Sequence, residues 1–423
     1  MFHRREMMRL GLSAAAGLAG THWLTPVAQQ LARAAESPQS DGPAQSVILL
    51  WLAGGPSQLE TFDPHPRSRI SGGTKAINTP LKGVQLAAGL QSVAERMDSV
   101  SLIRSMVSKE GDHRRGLYLA KTGYRPDPVT HHPSVGAICC HELPSEGTDI
   151  PRHVSILPDQ QPAWGGYLGA RYDAFKTFDP RDKLPDLTPT VDEDRFRRRI
   201  EDLKRLDSLF AQGRERRITA TDHGETLNRA QAMMSSEQLS AFDVSQESES
   251  LRKAYGETPF GRGCLAARRL IQSGVRCVEV TLGGWDSHVN NHAVQTDLVS
   301  ILDPALSALI DDLKQHDLFE RTLVLCGGEF GRTPDINALG GRDHWPKGFS
   351  LMLAGGKLAR GRVLGGTDPD GEAVTQGTYT FADVHATLLT ALGIDTHKEF
   401  TSKALRPIKI SEGTVIREIL RDA

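Results

Sequence analysis

The sequence predicts an α/β fold: a mostly parallel central sheet with helices on both faces, interrupted by a helical insertion at about 180–260. Three observations lead there. Ser46-Val47-Ile48-Leu49-Leu50-Trp51-Leu52 is a continuous apolar run, as suits a strand buried on both faces. The second half alternates strand-like and helix-like segments, Val275 to Leu282, Ile301 to Lys314, Thr322 to Cys326 and Phe349 to Ala354, an order that implies crossover connections. Between these parts, Phe196, Ile200, Leu203, Leu206 and Phe210 mark the apolar stripe of an amphipathic helix within a strongly charged stretch.

From the N-terminus, His3-Arg4-Arg5-Glu6-Met7-Met8-Arg9 precedes the small, apolar run LGLSAAAGLAG, and Ala32-Arg33-Ala34 supplies a cleavage pattern. Residues 1–34 read as a twin-arginine signal peptide. The expected partner is therefore the twin-arginine export machinery, and the expected location is periplasmic or secreted. The apolar run is too short and too rich in Ala and Gly for a stable transmembrane span. Residues 35–45 form a polar linker, and the domain runs over 46–423. With 423 residues, 39% of them hydrophobic, and a formal net charge of -2, the chain has no bulk electrostatic reason to bind nucleic acid. Its five cysteines lack zinc-site spacing and sit mostly among apolar residues, so they read as core residues, with one disulfide as the alternative.

The first strand ends in Ala53-Gly54-Gly55-Pro56-Ser57, where the backbone can approach a ligand closely. In the same loop, Asp63 within TFDPHP stands between a metal or substrate contact and an Asx turn before Pro64. Ser101 to Met106 is a short strand, and a helix-like segment follows Asp112. Asp112 can cap that helix, whose positive end favours an anion beside His113 and Arg114. The arginine-rich insertion reads mainly as a solvated face paired with its own acids.

The groups at the strand ends carry the chemistry. Gly284-Trp285-Asp286-Ser287-His288 follows one strand, Glu329 the next, and Asp343-His344-Trp345 precedes a third. Carboxylates and imidazoles at the edge of a sheet suit a divalent metal, zinc first, with calcium, magnesium or manganese as alternatives. The candidate metal ligands are Asp286, His288, Glu329, Asp343, His344 and Asp63. His113, Arg114 and Arg332 are the candidate catalytic residues.

LDPALSALIDDLKQHDLFERTLVLCGGEFG resembles the helix-strand-turn unit of alkaline phosphatases and sulfatases, and the resemblance runs from Val47 to about Asp395. Where that superfamily has Asp-His-Gly, this chain has Glu329-Phe330-Gly331, so a carboxylate is kept and a histidine lost. His344 in DHWPKGFSLMLAGG matches the superfamily's later histidine, and Asp286 with His288 loosely matches its Asp-x-x-x-His motif. The superfamily's nucleophile, a Ser, Thr or Cys nine residues before a Thr-Gly pair, is matched by His113. Its first-strand aspartate is replaced by Ala53-Gly54-Gly55. LAGGPSQLETFDP, TGYRP, GGWDSH, GEFGRTP and GRDHW together closely resemble domain-of-unknown-function family 1501, exported proteins often described as sulfatase-like.

The resemblance implies a metal-dependent hydrolase of sulfate or phosphate esters, on small molecules or polysaccharides, with Arg114 or Arg332 neutralising the transferring group. The alternative is a decayed hydrolase scaffold that binds acidic glycans or envelope partners without turnover.

Overall fold

The buried run Ser46–Leu52 forms β1 and lies near the middle of an eight-stranded sheet. The computed structural model describes residues 42–144, 147–159, 161, 163–212, 223–401 and 407–421; the expected signal peptide lies outside them. The other sheet strands are β2 (Val100–Met106), β3 (His153–Ile156), β4 (Phe175–Thr177), β5 (Cys277–Leu282), β6 (Thr322–Gly327), β7 (Phe349–Gly355) and β8 (Val363–Leu364). Their spatial order is β8-β2-β7-β6-β1-β5-β3-β4. β1 pairs in parallel with β5 and β6, β5 with β3, β3 with β4, and β2 with β8.

β7 runs antiparallel to both of its neighbours, β2 and β6. The strand order read from sequence implied a crossover before it. Instead, the link from β6 folds into a short antiparallel ribbon, Gly331–Arg332 with His344–Trp345, and no helix carries the chain to the far edge. A strand that starts where its predecessor ended must run back. One consequence shapes the site: residues just before β7 stand at the same sheet edge as residues just after β1, β2, β5 and β6.

Alternation along β1 divides the core. Ile48, Leu50 and Leu52 pack with Val278, Val280, Val324 and helices α4 (Pro259–Gln272) and α5 (Asn291–Gln315). Val47, Leu49 and Trp51 pack on the opposite face with Leu323, Leu325, α2 (Val135–Glu142) and α6 (Phe381–Ala391). Each fully buried Leu or Val contributes about 1.5–3 kcal/mol before entropy is subtracted, so both faces supply a substantial core. α5 is long and apolar enough to cross a membrane by length and composition. Its Leu302, Leu306, Leu309 and Leu313 are buried in the protein core instead.

The insertion is helical where described, with α3 at Glu193–Ala211 and further helices at His223–Met234 and Glu249–Tyr255. All five cysteines are buried as free thiols.

Candidate metal centre

The site is assembled at the C-terminal edge of the parallel strands, where loops from β2, β5 and β6 meet the lead-in to β7. After β2, Asp112 caps α1 (His113–Thr122) by accepting from the Arg115 amide at 3.1 Å, which sets His113 at the first helical position. α1 lies directly on the loop after β6. A Cβ on Gly116 would come 3.2 Å from the Phe330 ring and 3.4 Å from Glu329 Cβ, so the helix packs tightly on that loop. After β1, Gly54 has φ +114°, and a Cβ there would lie 2.5 Å from the Asp286 amide. This close approach lets the Gly54 amide donate to Glu329 Oε1 at 3.1 Å.

The loop after β5 is pinned from below. Trp285 is fully buried, and Gln295 of α5 donates to Trp285 O at 3.1 Å and to Ser287 Oγ at 2.9 Å while accepting from the Ser57 amide at 3.0 Å. His344 is aligned by the ribbon, opposite Arg332. Arg342, entirely buried, ties the ribbon loop to the loop after β1 through Glu60 at 3.0 Å and the Ile70 carbonyl at 2.7 Å. Sequence reading singled out none of Gln295, Arg342 and Glu60 for this edge. Glu60, an acid in a glycine-rich loop, is only 4% exposed.

Three imidazoles converge on Asp286. His113 Nε2 lies 3.3 Å from Asp286 Oδ2, while His288 Nε2 and His344 Nε2 lie 3.2 and 3.3 Å from Asp286 Oδ1. The last two nitrogens are 3.0 Å apart. His113, Asp286 and His344 each offer one ligand atom within 4.8 Å of the others, and His288 abuts the same group. Phe330 floors the cluster, its ring centroid 5.0 Å from that of His113 and 4.6 Å from that of His344.

Each imidazole is held by its other nitrogen. His113 Nδ1 donates to Glu329 Oε1 at 2.7 Å, His288 Nδ1 to Asp343 Oδ1 at 2.7 Å, and His344 Nδ1 to the Gly111 carbonyl at 2.8 Å. These acceptors have no proton to give, so each neutral ring carries its proton on Nδ1 and aims the Nε2 lone pair at Asp286. Two lone pairs 3.0 Å apart beside a carboxylate repel one another unless positive charge lies between them. His113 Nε2 is moreover buried without a hydrogen-bond partner, its contact with Asp286 lacking hydrogen-bond direction.

A cation resolves both problems. Zinc bonds of about 2.0–2.1 Å in a tetrahedron place neighbouring ligand atoms about 3.3 Å apart, close to the separations found here. Outer carboxylate and carbonyl acceptors on metal-bound histidines are the usual companions of such ligands. The donor set therefore fits a divalent metal held by His113, His344 and Asp286, with His288 against the same carboxylate.

The electrostatics favour positive charge at this point. Burial on its own would raise the Asp286 carboxyl, but the hydrogen bond and charge of Arg332 hold it down at about 2. The hydrogen bond to Glu329 is the main influence raising His113 above its ordinary value, against burial. The hydrogen bond from His288 keeps Asp343 below the usual carboxylate range.

Several residues stand differently from expectation. Glu329 and Asp343 face the Nδ1 side of histidines, behind the ligand atoms. Asp63 is not brought into the cluster: Arg104 lies 3.2 Å from its Oδ1 and His65 3.7 Å from its Oδ2. Arg332 is not open to a substrate. Its side chain is fully buried, and Nε donates to Gly55 O at 2.9 Å, Nη1 to Arg342 O at 3.0 Å, and Nη2 to Gly54 O and, at 2.6 Å, to Asp286 Oδ1. With its donors spent on the backbone and on Asp286, it is a buttress. Arg114 is exposed beside His113 and, unlike Arg115, which pairs with Glu110, makes no ion pair among the described residues.

These features define a mostly parallel α/β protein with a histidine-carboxylate cluster at the strand ends. Residues 44–420 match the profile of the family described as Protein of unknown function (DUF1501), and the chain belongs to that family. No functionally curated protein matches the sequence. Among solved structures, the chain is similar to a sulfatase, PsFucS1, from Pseudoalteromonas sp., at 12% identity and TM-score 0.41, covering 93% of this chain and 79% of that one. It is also similar to an alkaline phosphatase superfamily protein from Vibrio parahaemolyticus, at 11% identity and TM-score 0.38, over 84% and 68% of the chains. A third is an alkaline phosphatase variant from the Antarctic bacterium TAB5 with Mg bound, at 12% identity and TM-score 0.40, over 84% and 99%. Likeness at this level says nothing about chemistry, which rests on the cluster itself.

Proposed function

We propose that the protein is an exported, zinc-dependent hydrolase of sulfate or phosphate esters, carried by polysaccharides or by small molecules. One observation carries this reading: three imidazole Nε2 atoms each lie 3.2–3.3 Å from an oxygen of the Asp286 carboxylate, two of them 3.0 Å from each other, with every imidazole Nδ1 already engaged. His113, His344 and Asp286 would hold the ion, with His288 against the same carboxylate. Bound zinc supplies Lewis acidity toward an ester oxygen and acidifies a coordinated water.

The chain supplies the rest. Glu329, Asp343 and the Gly111 carbonyl fix the ring orientations, Arg332 holds Asp286 ionised and in place, and Phe330 keeps the floor apolar. Arg114, exposed one residue from His113, is positioned to bind the anionic group. His113 stands where related hydrolases carry a hydroxyl nucleophile, and its two ring nitrogens face Glu329 and Asp286, so attack falls to water.

Metal analysis of protein purified without chelator, alongside a screen of aryl sulfates and aryl phosphates, tests this. Stoichiometric zinc and hydrolysis are expected in the wild type, and both should be lost in His344→Ala with the fold intact by circular dichroism. Protein without metal, with Asp286→Ala and His344→Ala unchanged in stability and ligand binding, would overturn the reading. The imidazole in the nucleophile position favours a second one, a glycan-binding scaffold without turnover, which metal-loaded but inactive protein would support.

A further inference from the structure

An aromatic shelf stands on the helix that carries His113. Trp164 is partly exposed, and two rings pack beside it: His131, with centroids 5.2 Å apart and planes at 10°, and Tyr118, at 5.4 Å and 28°. His131 and Tyr118 are themselves 6.0 Å apart. Rings on opposite faces of an indole would be separated by about twice their distance from it, so both back the same face. The opposite face has no ring partner among the described residues.

The shelf is rigid before any ligand arrives. Trp164 Nε1 donates to the His132 carbonyl at 2.6 Å, its own carbonyl accepts from the Ser134 amide at 3.0 Å, and the Gly165 amide donates to Asp173 at 2.7 Å. The His132 amide donates to Tyr118 Oη at 2.8 Å, and His132 stacks on Tyr124 with centroids 4.0 Å apart. A partly exposed indole held this tightly, with no ring on its other face among the described residues, is preorganised to receive a flat ligand surface.

Two chain paths join the shelf to the metal cluster. Tyr118 lies five residues after His113 on α1, about 7–8 Å along the helix axis. Arg114 and Tyr118 are four residues apart and so share a face of that helix. The second path is the loop leading into Trp164, where Asp159 accepts from the Gln161 amide at 2.8 Å. That loop is anchored to α1, because Lys121 Nζ donates to the Gln161 carbonyl at 2.7 Å.

We propose that Trp164, backed by His131 and Tyr118, is a stacking subsite for a sugar ring adjacent to the ester-bearing residue of an anionic polysaccharide, with Arg114 binding charge between shelf and metal cluster. This deepens the hydrolase reading and rests on it. The apolar face of a pyranose matches an indole face, and its rim hydroxyls remain solvated. A polymer would thus be preferred over a free anion of the same charge.

The test uses full-length protein with dextran sulfate, neutral dextran and inorganic sulfate as probes, read by gel retardation and calorimetry, with zinc content measured on the same samples. Trp164→Ala should weaken dextran sulfate binding about tenfold, the scale of one lost aromatic contact, without changing inorganic sulfate binding or zinc content. Trp164→Phe, which keeps a ring, should restore most of the loss. Equal weakening in both variants, unchanged polymer binding in Trp164→Ala, or no retention of the wild type by dextran sulfate would each overturn the subsite. Wild-type protein without zinc that still shows Trp164-dependent retention would overturn the hydrolase reading while supporting the shelf.

Discussion

The metal edge and the insertion helix α3 use the same residue types to opposite ends. In α3, Arg197 reaches Glu193 and Asp194 at 3.6 and 3.5 Å with 62% of its side chain exposed, and no residue of the helix is buried. At the metal edge, Arg332 and Arg342 are entirely buried, and their partners are carbonyls and acids from three different loops. Water screens the first set and competes for it; the second is shielded and overdetermined. A count of charged residues therefore does not locate a site. What locates it is convergence from distant strands together with loss of water.

Three substitutions would break or sharpen this contrast. The largest effect is expected from Arg342→Met, which leaves the Glu60 carboxylate buried and unpaired and should cost about 3–5 kcal/mol in chemical unfolding; a loss under 1 kcal/mol would mean that the edge is no better fastened than the insertion. Next comes Glu329→Gln. It removes the charged acceptor behind His113 while keeping its shape, and zinc affinity by competition with a chelator should fall about 10–100-fold with little change in melting temperature. Unchanged affinity would show that His113 needs no outer carboxylate. The smallest effect belongs to Arg197→Ala, which should alter stability by no more than about 0.5 kcal/mol and leave zinc binding untouched.

Much of the fold was legible because burial on both faces writes itself into composition. Ser46–Leu52 and Thr322–Gly327 are uninterrupted apolar runs, and both are interior strands. The direction of β7 was not legible, since a strand's periodicity is the same whichever way it runs. Asp286, His288, His344 and His113 could be picked out as residue types at element ends. Their separation into atoms that face the cluster and atoms that hold them could not. Glu329 and Asp343 look like ligands in sequence, yet the structure sets them behind His113 and His288. Arg332, a candidate substrate contact by residue type, spends its donors on three carbonyls and the Asp286 carboxylate. Trp164 gave no signal, because stacking among His131, Tyr118 and Trp164 depends on loops that sequence spacing does not bring together.

By itself, the sequence determined which segments become strands and helices, which residue types crowd the C-terminal edge of the sheet, and the family to which the chain belongs. These follow from local periodicity and from hydrophobic burial, properties carried along the chain. Only the tertiary structure decided which nitrogen of each histidine faces Asp286, which arginine is a buttress and which is free, and that a residue preceding an antiparallel strand joins residues following parallel ones. Those are matters of direction and distance between groups up to 231 positions apart, from His113 to His344, and no local pattern encodes them.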